Sequence, residues 1–302
     1  MSTLVEEIES LKKEKNAVIL AHYYVNDEVQ AIADYIGDSY YLAKVAVDLK
    51  ESTIVFAGVK FMGESAKILN PEKTVLMPDE NADCPMAHMA TVERIEEMRN
   101  QYPDVAVVCY INSTAELKMH SDVCVTSANA MKIVRELPNK NIFFIPDENL
   151  GRYIAGHVPE KNFIFNDGYC HVHKAVTESM ILKAKKSLPE AEVLIHPECT
   201  LDVLKHADYI GSTSGIIEYA TKSDKKDFLI STELGVLYML KQKNPEKNFY
   251  SVGPVQICPN MKKVSLEKIR NCLRDNTGVV EVSDEMREKS LVPLKRMLEL
   301  AK

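Results

Sequence analysis

The sequence contains an internal threefold repeat, and this repeat restricts the possible fold more than any other feature. The segments ADYIG at 33–37 and NPEK at 70–73 recur at 207–211 and 244–247, displaced by 174 residues. The same displacement relates His22 to His196 and Cys84 to Cys258. A middle copy lies between them, because Cys170 follows Cys84 by 86 residues and precedes Cys258 by 88. The chain is therefore predicted to form three equivalent units.

Each copy is predicted to begin with a helix and to continue as alternating strands and helices. The leading helices are expected near 5–15, 91–101 and 177–187. The apolar runs AVILA, VAVVC and EVLI follow them, and such runs are typical of buried parallel strands. This pattern predicts the α/β class: three pseudo-threefold-related units, each a small parallel sheet flanked by helices, around a central active-site cavity. The expected boundaries are 1–86, 87–173 and 174–264, and 265–302 is predicted to be a helical tail that packs on the body.

Polar residues recur where the predicted strands end. His22, Tyr110 and His196 end or follow the first strand of their copies. The residues at the equivalent place after the second strand are Ser39, Ser127 and Thr213, and after the last strand they are Cys84, Cys170 and Cys258. Ligands of doubly wound α/β folds bind at the carboxyl ends of the strands. We therefore expect these nine side chains to converge on one cavity.

The three cysteines of this series lie in predicted loops, whereas Cys109 lies in an apolar strand and Cys272 in a helix. An unpaired thiol would explain any one loop cysteine, but their shared place in the repeat favours a common ligand. Three thiolates suit zinc or an iron-sulfur cluster. The lack of a fourth cysteine at matching spacing favours a cluster with one open iron, which can act as a Lewis acid.

The strand-end residues are followed by a second polar residue two positions later. Tyr24 follows His22, Asn112 follows Tyr110, and Glu198 follows His196. Residues at i and i+2 of an extended chain face the same side. Glu198 is a candidate general acid or base, and the histidines are candidates for orienting substrate or moving protons. A packing role at a helix end would also explain Tyr24.

Ser39, Ser127 and Thr213 are of the type that caps helices, and capping alone would explain any one of them. Helix N-termini also bind anions. Three of them around a cavity suggest a small substrate with several negative charges. His171 and His173 lie beside Cys170 in YCHVH, and we interpret them as residues behind the ligands or at the surface, with His173 the better candidate for the cavity.

Composition excludes several classes of function. The net charge is -7 and no run of Lys or Arg forms a basic stripe, so a nucleic-acid partner is not expected. The sequence has no apolar run of about 18 residues and its N-terminal segment is charged, which predicts a cytoplasmic protein without a membrane partner. No glycine-rich dinucleotide or nucleoside-triphosphate signature is present.

The chain resembles the quinolinate synthase family over essentially its whole length. The resemblance is carried by AHYY at 21–24, GDS at 37–39, DCPM at 83–86, YINS at 110–113, TSAN at 126–129, GYCHVH at 168–173, HPEC at 196–199, GSTSG at 211–215 and GPVQICPNM at 253–261. It implies a pseudo-threefold assembly with a [4Fe-4S] cluster on three cysteines. It also implies condensation of iminoaspartate with dihydroxyacetone phosphate to quinolinate for NAD biosynthesis, with an aspartate-oxidising enzyme supplying the iminoaspartate.

The resemblance also implies roles for individual residues. Cys84, Cys170 and Cys258 would be the cluster ligands, and Tyr24, His196 and Glu198 the catalytic candidates. The implied substrate-binding set is His22, Ser39, Tyr110, Ile111, Asn112, Ser127, His196, Pro197, Glu198 and Thr213.

Two other functions remain open from the sequence. Three thiolates and an open iron also suit an iron-sulfur hydro-lyase that acts on a small hydroxy acid. A non-catalytic metal-binding or anion-binding module is the alternative outside enzymes. A radical S-adenosylmethionine enzyme is disfavoured, because the sequence lacks a clustered C-x3-C-x2-C motif.

Overall fold

The computed structural model describes residues 3–302 and contains three four-stranded parallel sheets. In each sheet the strands stand in the order second, first, third, fourth. The first sheet consists of β1 (Ala17–His22), β2 (Tyr35–Gly37), β3 (Thr53–Ala57) and β4 (Thr74–Leu76). The second consists of β5 (Ala106–Tyr110), β6 (Val123–Val125), β7 (Asn141–Ile145) and β8 (Asn162–Phe165). The third consists of β9 (Glu192–Ile195), β10 (Tyr209–Ile210), β11 (Asp227–Ser231) and β12 (Asn248–Ser251).

The helices connect these strands and cover both faces of each sheet. In the first segment they are α1 (Leu4–Glu14), α2 (Asp27–Ala31), α3 (Ser39–Asp48) and α4 (Lys60–Leu69). In the second they are α5 (Val92–Gln101), α6 (Ala115–Met119), α7 (Ala130–Glu136) and α8 (Glu148–His157). In the third they are α9 (His171–Lys174), α10 (Glu178–Ser187), α11 (Leu201–Leu204), α12 (Thr213–Lys222) and α13 (Val236–Lys243). The tail adds α14 (Leu266–Asp275) and α15 (Asp284–Leu300).

The predicted class is confirmed: this is an α/β fold of three repeated parallel sheets. The first strand of each sheet is almost entirely buried, as expected for a strand with helices on both faces. The three leading helices begin after Thr3, Thr91 and Thr177, whose hydroxyls accept from the backbone N–H three residues later. Such a cap contributes about 1 kcal/mol to helix stability.

The amino edges of the three sheets share one hydrogen-bonded arrangement. An aspartate before the second strand accepts the backbone N–H of the first strand, in the pairs Asp34–Ile19 at 2.7 Å, Asp122–Val107 at 2.7 Å and Asp208–Val193 at 2.8 Å. Each aspartate also pairs with a basic residue near the end of the leading helix, in the pairs Lys12–Asp34 at 2.8 Å, Arg99–Asp122 at 3.0 Å and Lys185–Asp208 at 3.6 Å. The arrangement ties each leading helix to its own sheet.

The apolar core is not divided equally among the three units. The first two sheets and the tail share one continuous cluster of buried side chains, whereas the third sheet has a separate cluster on each face. Helix α15 packs against α4, α6 and β6, and α14 packs against α1. The Ser290 hydroxyl in α15 donates to the Ala115 carbonyl at 2.8 Å. The tail thus joins the first two units.

Across residues 3–302, the structure contains no helix with the length and apolar character needed to cross a membrane.

Candidate active site

The carboxyl edges of the three sheets face a single cavity. All nine residues of the strand-end series line it, together with three of their polar neighbours. The lining includes His22, Tyr24, Ser39, Cys84, Tyr110, Asn112, Ser127, Cys170, His196, Glu198, Thr213 and Cys258. Residues separated by up to 236 positions in the sequence therefore meet at one place, which the repeat alone led us to expect.

Two residues of the expected substrate-binding set do not line this cavity with their side chains. Ile111 is buried in the core beside a smaller void that it shares with Ser39. Its backbone N–H is bonded to the carbonyl of Val125 at 2.8 Å and is not free for a ligand. Pro197 is absent from the cavity lining and has no N–H to offer. Neither residue is among those that line the main cavity, although their neighbours Tyr110, Asn112, His196 and Glu198 are.

Capping does not explain Ser39 or Thr213. Helix α3 is capped by Asp38, which accepts from the N–H of Tyr41 at 2.9 Å, and α12 is capped by Ser212, which accepts from the N–H of Gly215 at 3.2 Å. Ser39 and Thr213 are the first helical residues, and their hydroxyls are not used as caps; that of Thr213 is bonded to the Tyr24 hydroxyl at 2.6 Å. Ser127 differs from these two residues. We expected a helix to start at Ser127, but α7 begins three residues later, at Ala130.

His22 and His196 adopt the same arrangement in their two copies. The Nδ1 of His22 accepts from the N–H of Tyr24 at 3.2 Å, and the Nδ1 of His196 accepts from the N–H of Glu198 at 3.3 Å. Each neutral ring therefore carries its proton on Nε2. Burial lowers the pKa of both histidines to about 3. Each ring thus keeps an Nε2–H donor at the cavity, and the lowered pKa favours the orienting role over proton transfer near neutral pH.

Glu198 is a buried carboxylate of the site, and both of its oxygens have partners. Its Oε1 accepts from the Tyr110 hydroxyl at 2.5 Å, and its Oε2 lies 2.8 Å from Nδ1 of His173. Both Glu198 and His173 are almost completely buried. Burial by itself would raise the pKa of Glu198, but His173, His196 and the Tyr110 hydroxyl hold it well below the usual value. Glu198 is therefore ionised.

The hydrogen bonds continue from His173 to Tyr24. The Nε2 of His173 lies 2.9 Å from the Thr232 hydroxyl, which lies 2.7 Å from the Tyr24 hydroxyl. The Tyr24 hydroxyl also lies 2.6 Å from that of Thr213. One hydrogen-bonded chain therefore connects Tyr110, Glu198, His173, Thr232 and Tyr24, and its members come from all three repeats.

The two tyrosines of this chain keep their protons. Burial raises the pKa of Tyr24 well above its usual value, and bonds to Thr213 and Thr232 offset this only in part. Burial and the charge of Glu198 likewise raise the pKa of Tyr110. The site at rest thus combines phenol donors with an ionised carboxylate.

Cys84, Cys170 and Cys258 stand on the cavity wall, one from each repeat. The other four cysteines, Cys109, Cys124, Cys199 and Cys272, are buried in the core. Burial raises the pKa of the Cys84 thiol to about 12 and that of Cys170 well above its usual value, and the charge of a neighbouring thiolate adds to both shifts. Three thiols on the wall of one cavity are a suitable donor set for an iron centre, whose positive charge favours their ionised form.

A second set of donors overlaps with the first. The ligand atoms of Cys170, His173 and Glu198 all lie within 4.8 Å of one another, with Cys170 Sγ 3.2 Å from His173 Nδ1. Cys170 belongs to both sets. The direct contact between His173 Nδ1 and Glu198 Oε2 at 2.8 Å already explains why these two residues lie close together.

Two buried polar atoms on the cavity wall have no hydrogen-bond partner in the protein. They are Oδ1 of Asn112 and Oγ1 of Thr126. Buried polar atoms are almost always bonded, so an unpartnered pair facing a cavity indicates that a ligand or water completes them. This supports Asn112 as a residue that contacts substrate.

The sequence indicated His173 rather than His171 for the cavity, and His173 lines it, but the sequence did not reveal its place in the hydrogen-bonded chain or the presence of Thr232. His173 lies three residues after Cys170, and its equivalents in the other copies are Ala87 and Met261. A histidine that occurs in one copy out of three gives no repeat signal. Thr232 directly follows the third strand of its sheet, and its position at a carboxyl edge was the available indication.

The fold and site together define a class: a three-sheet α/β protein with thiol, imidazole, carboxyl and phenol groups gathered where the repeats meet. Comparison with known proteins agrees with this and is more specific. The sequence profile of the family described as "Quinolinate synthetase A protein" matches residues 6–299. The chain belongs to this family.

Individual relatives are similar over nearly their whole length. The quinolinate synthase of Fusobacterium nucleatum is 56% identical over 296 residues, which covers 98% of this chain and 99% of the relative. The quinolinate synthase of Clostridioides difficile is 53% identical over 298 residues, covering 99% and 98%. Quinolinate synthase 2 of Methanosarcina acetivorans is 46% identical over 298 residues, covering 99% and 96%.

Proposed function

We propose that this protein is a quinolinate synthase, which condenses iminoaspartate with dihydroxyacetone phosphate to give quinolinate, phosphate and water in NAD biosynthesis. Its family and the names of its relatives support this activity. The observation that carries the proposal is the hydrogen-bonded chain from Tyr110 through Glu198 and His173 to Tyr24, beside three thiols in one cavity.

We propose that Cys84, Cys170 and Cys258 hold a [4Fe-4S] cluster in this cavity. With three protein ligands, such a cluster keeps one iron open, which would supply Lewis-acid assistance to dehydration without net electron transfer. The donor set supports the assignment, because soft thiolates select iron-sulfur clusters over hard cations.

Substrate recognition is proposed for residues that present donors to an anion. His22 and His196 offer Nε2–H groups, and Ser39 and Thr213 offer hydroxyls at the first turns of ten-residue helices. Helix N-termini carry partial positive charge and suit carboxylates or a phosphate. Ser127 and Asn112 complete the wall from the second unit. Backbone at Ile111 and Pro197 would shape the cavity edge.

Proton transfer is proposed for Tyr24 and Glu198, with His196 as a donor beside them. A protonated phenol suits donation to a leaving hydroxyl, and an ionised carboxylate suits acceptance of a proton from carbon or nitrogen. His173 and Thr232 lie between the two groups and keep them in one network. Through this network, a proton accepted by Glu198 would be balanced by a proton donated from Tyr24.

The remaining proposals concern organisation. We retain domain boundaries at 1–86, 87–173, 174–264 and 265–302, supported by the fact that each sheet takes all its strands from one segment. We propose a cytoplasmic location, since all seven cysteines are free. An aspartate-oxidising enzyme is proposed as the source of iminoaspartate.

The deciding experiment is anaerobic purification with iron and sulfide analysis, followed by an assay of quinolinate from iminoaspartate and dihydroxyacetone phosphate. About four irons per chain and quinolinate formation are expected. A cluster without quinolinate formation would direct the work to hydro-lyase substrates. Bound zinc with no iron would overturn the cofactor assignment.

A further inference from the structure

The loops that carry the three cysteines are docked to their sheets by one repeated backbone hydrogen bond. In each unit the donor is the backbone N–H of the third residue after the end of the third strand. The acceptor is the carbonyl of the residue two positions before the cysteine. The pairs are Lys60–Ala82 at 2.8 Å, Glu148–Gly168 at 2.8 Å and Leu234–Gln256 at 2.9 Å. This bond fixes where each loop lies, but it does not hold the cysteine itself.

A buried carboxylate holds the cysteine in two of the three units. Oδ2 of Asp147 accepts from the N–H of Cys170 at 3.0 Å, and Oε1 of Glu233 accepts from the N–H of Cys258 at 3.1 Å. The two acids occupy equivalent positions in the repeat, 86 residues apart. Each acid directly precedes the residue whose N–H forms the repeated backbone hydrogen bond. The backbone bond and the carboxylate bond therefore hold the cysteine loop at adjacent points.

The second oxygen of each carboxylate is also bonded to backbone. Oδ1 of Asp147 accepts from the N–H of Leu150 at 2.7 Å, and Oε2 of Glu233 accepts from the N–H of Gly235 at 2.6 Å. Lys262 lies 3.1 Å from Oε1 of Glu233 and compensates its charge. With both oxygens bonded to the protein, these carboxylates are built to hold backbone, although Glu233 also borders the cavity.

The first unit shows that the fold does not require an acid at this position. The equivalent residue is Val59, which is buried at the start of α4. The N–H of Cys84 is held by the adjacent Asp83 at 2.8 Å, and Asp83 is partly exposed and paired with His88. Burying a carboxylate is costly unless it is fully bonded. An apolar residue serves the fold in one copy, so the fold does not require an acid at this position. Asp147 also caps α8, but the cap uses only Oδ1 and leaves its bond to the Cys170 N–H unexplained.

We propose that Asp147 and Glu233 are positioning residues that fix Cys170 and Cys258 for binding the cluster. A held N–H restricts rotation of the cysteine backbone, and this keeps the Cα–Cβ bond directed into the cavity. The inference rests on the proposed cluster and extends it to residues outside the ligand set. Partners that orient metal ligands typically change metal affinity by about 10-fold to 100-fold when removed.

The test compares iron retention in variants of the full-length protein purified anaerobically and reconstituted with iron and sulfide. Asp147→Ala and Glu233→Ala are expected to release iron to a chelator at least about 10-fold faster than the unaltered protein. Glu233→Gln keeps an oxygen that accepts the Cys258 N–H and is expected to restore slow release. Glu233→Asp keeps the charge but withdraws the carboxylate by one methylene, and is expected to release iron quickly.

Asp122→Ala and Asp208→Ala are the matched controls. Each removes a carboxylate that accepts a backbone N–H in the same sheet as Asp147 or Glu233, but at the opposite edge. Both are expected to lower the unfolding temperature while iron release stays at the rate of the unaltered protein, measured well below unfolding.

Three results would overturn the inference: slow release from both alanine variants, equally fast release from the controls, or slow release from Glu233→Asp. The last variant decides the question if an alanine variant fails to fold. Failure of the proposed cofactor is distinguishable, because the unaltered protein would then bind no iron-sulfur cluster at all.

Discussion

The amino and carboxyl edges of the three sheets differ in how closely the repeats agree. At the amino edges, each copy keeps an aspartate, the backbone N–H that it accepts, and a basic partner on the leading helix. At the carboxyl edges the cysteines recur in all three copies, but three other equivalent positions do not hold the same residue throughout. They are His22, Tyr110 and His196; Tyr24, Asn112 and Glu198; and Val59, Asp147 and Glu233.

The difference separates the requirements of folding from those of chemistry. Each sheet needs the same attachment to its leading helix, so the same residues recur. One asymmetric cavity needs different groups on its three sides, so the copies diverge there. We therefore expect carboxyl-edge substitutions to change cofactor binding or rate, and amino-edge substitutions to change stability alone.

The largest effect is expected from the cysteines. Cys84→Ala, Cys170→Ala and Cys258→Ala should each abolish visible cluster absorbance and quinolinate formation, because a cluster bound by three ligands cannot spare one. Cys272→Ala is the control, since this thiol is buried in α14 away from the cavity, and it should keep its cluster. The opposite pattern would refute the ligand assignment.

A large loss of rate is expected at the two ends of the hydrogen-bonded chain. Tyr24→Phe and Glu198→Gln should lower kcat by about 10²-fold to 10⁴-fold while iron content is retained, because each removes a group to which we assign a proton transfer. Steady-state quinolinate assays normalised to iron would measure this. Tyr23→Phe, at the neighbouring buried tyrosine that packs in the third unit, is the control and should keep its rate. An unchanged kcat in Tyr24→Phe would remove Tyr24 from the mechanism.

A moderate effect on stability is expected at the amino edges. Asp34→Ala, Asp122→Ala and Asp208→Ala each leave a backbone N–H without its acceptor, at a cost of about 1 to 2 kcal/mol. For a chain of 302 residues that corresponds to a shift of about 1 to 2 °C in the unfolding midpoint per kcal/mol. Thermal unfolding would show similar shifts in all three variants. A change of kcat per iron in any of them would break the contrast between the edges.

The smallest effect concerns pH. Burial lowers the pKa of His22 and His196 to about 3, whereas an unfolded histidine has a pKa near 6.5. As the pH is lowered, these histidines become protonated in the unfolded chain at a higher pH than in the folded one. The free energy of unfolding therefore falls below pH 6.5, by about 1 kcal/mol per pH unit for each histidine. Unfolding free energies between pH 7.5 and 5.5 should fall less steeply for His22→Asn. His157→Asn, at an exposed position on α8, should keep the original slope.

The repeat made most of the fold predictable. Because Cys84, Cys170 and Cys258 share a period with the strand-end residues, the sequence alone indicated three sheets and one meeting place. The periodic pattern also located the two tail helices. It could not indicate that α15 packs on the first two units and not on the third. An apolar face predicts that a helix is buried, but it does not identify the elements that cover that face.

The unpredicted parts of the site occur where a single copy departs from the others. His173 has apolar equivalents in the other copies, and Val59 obscures the pattern shared by Asp147 and Glu233. The sequence also left open whether Ser39 and Thr213 only cap their helices, because adjacent Asp38 and Ser212, which are the actual caps, are equally good capping types. Only coordinates distinguish which of two neighbouring polar residues points back to the helix.

The placement of one cysteine in each sheet has a consequence for chain entropy. A group bound by all three thiols closes two consecutive loops, of 86 and 88 residues, in a chain whose third unit has its own separate core. By the measure used for covalent cross-links, each closure removes about 4 to 5 kcal/mol of disorder from the unfolded state. The cofactor would thus also stabilise the packing of the third unit against the other two. Loss of the cofactor would lower the stability of the fold as well as stop catalysis.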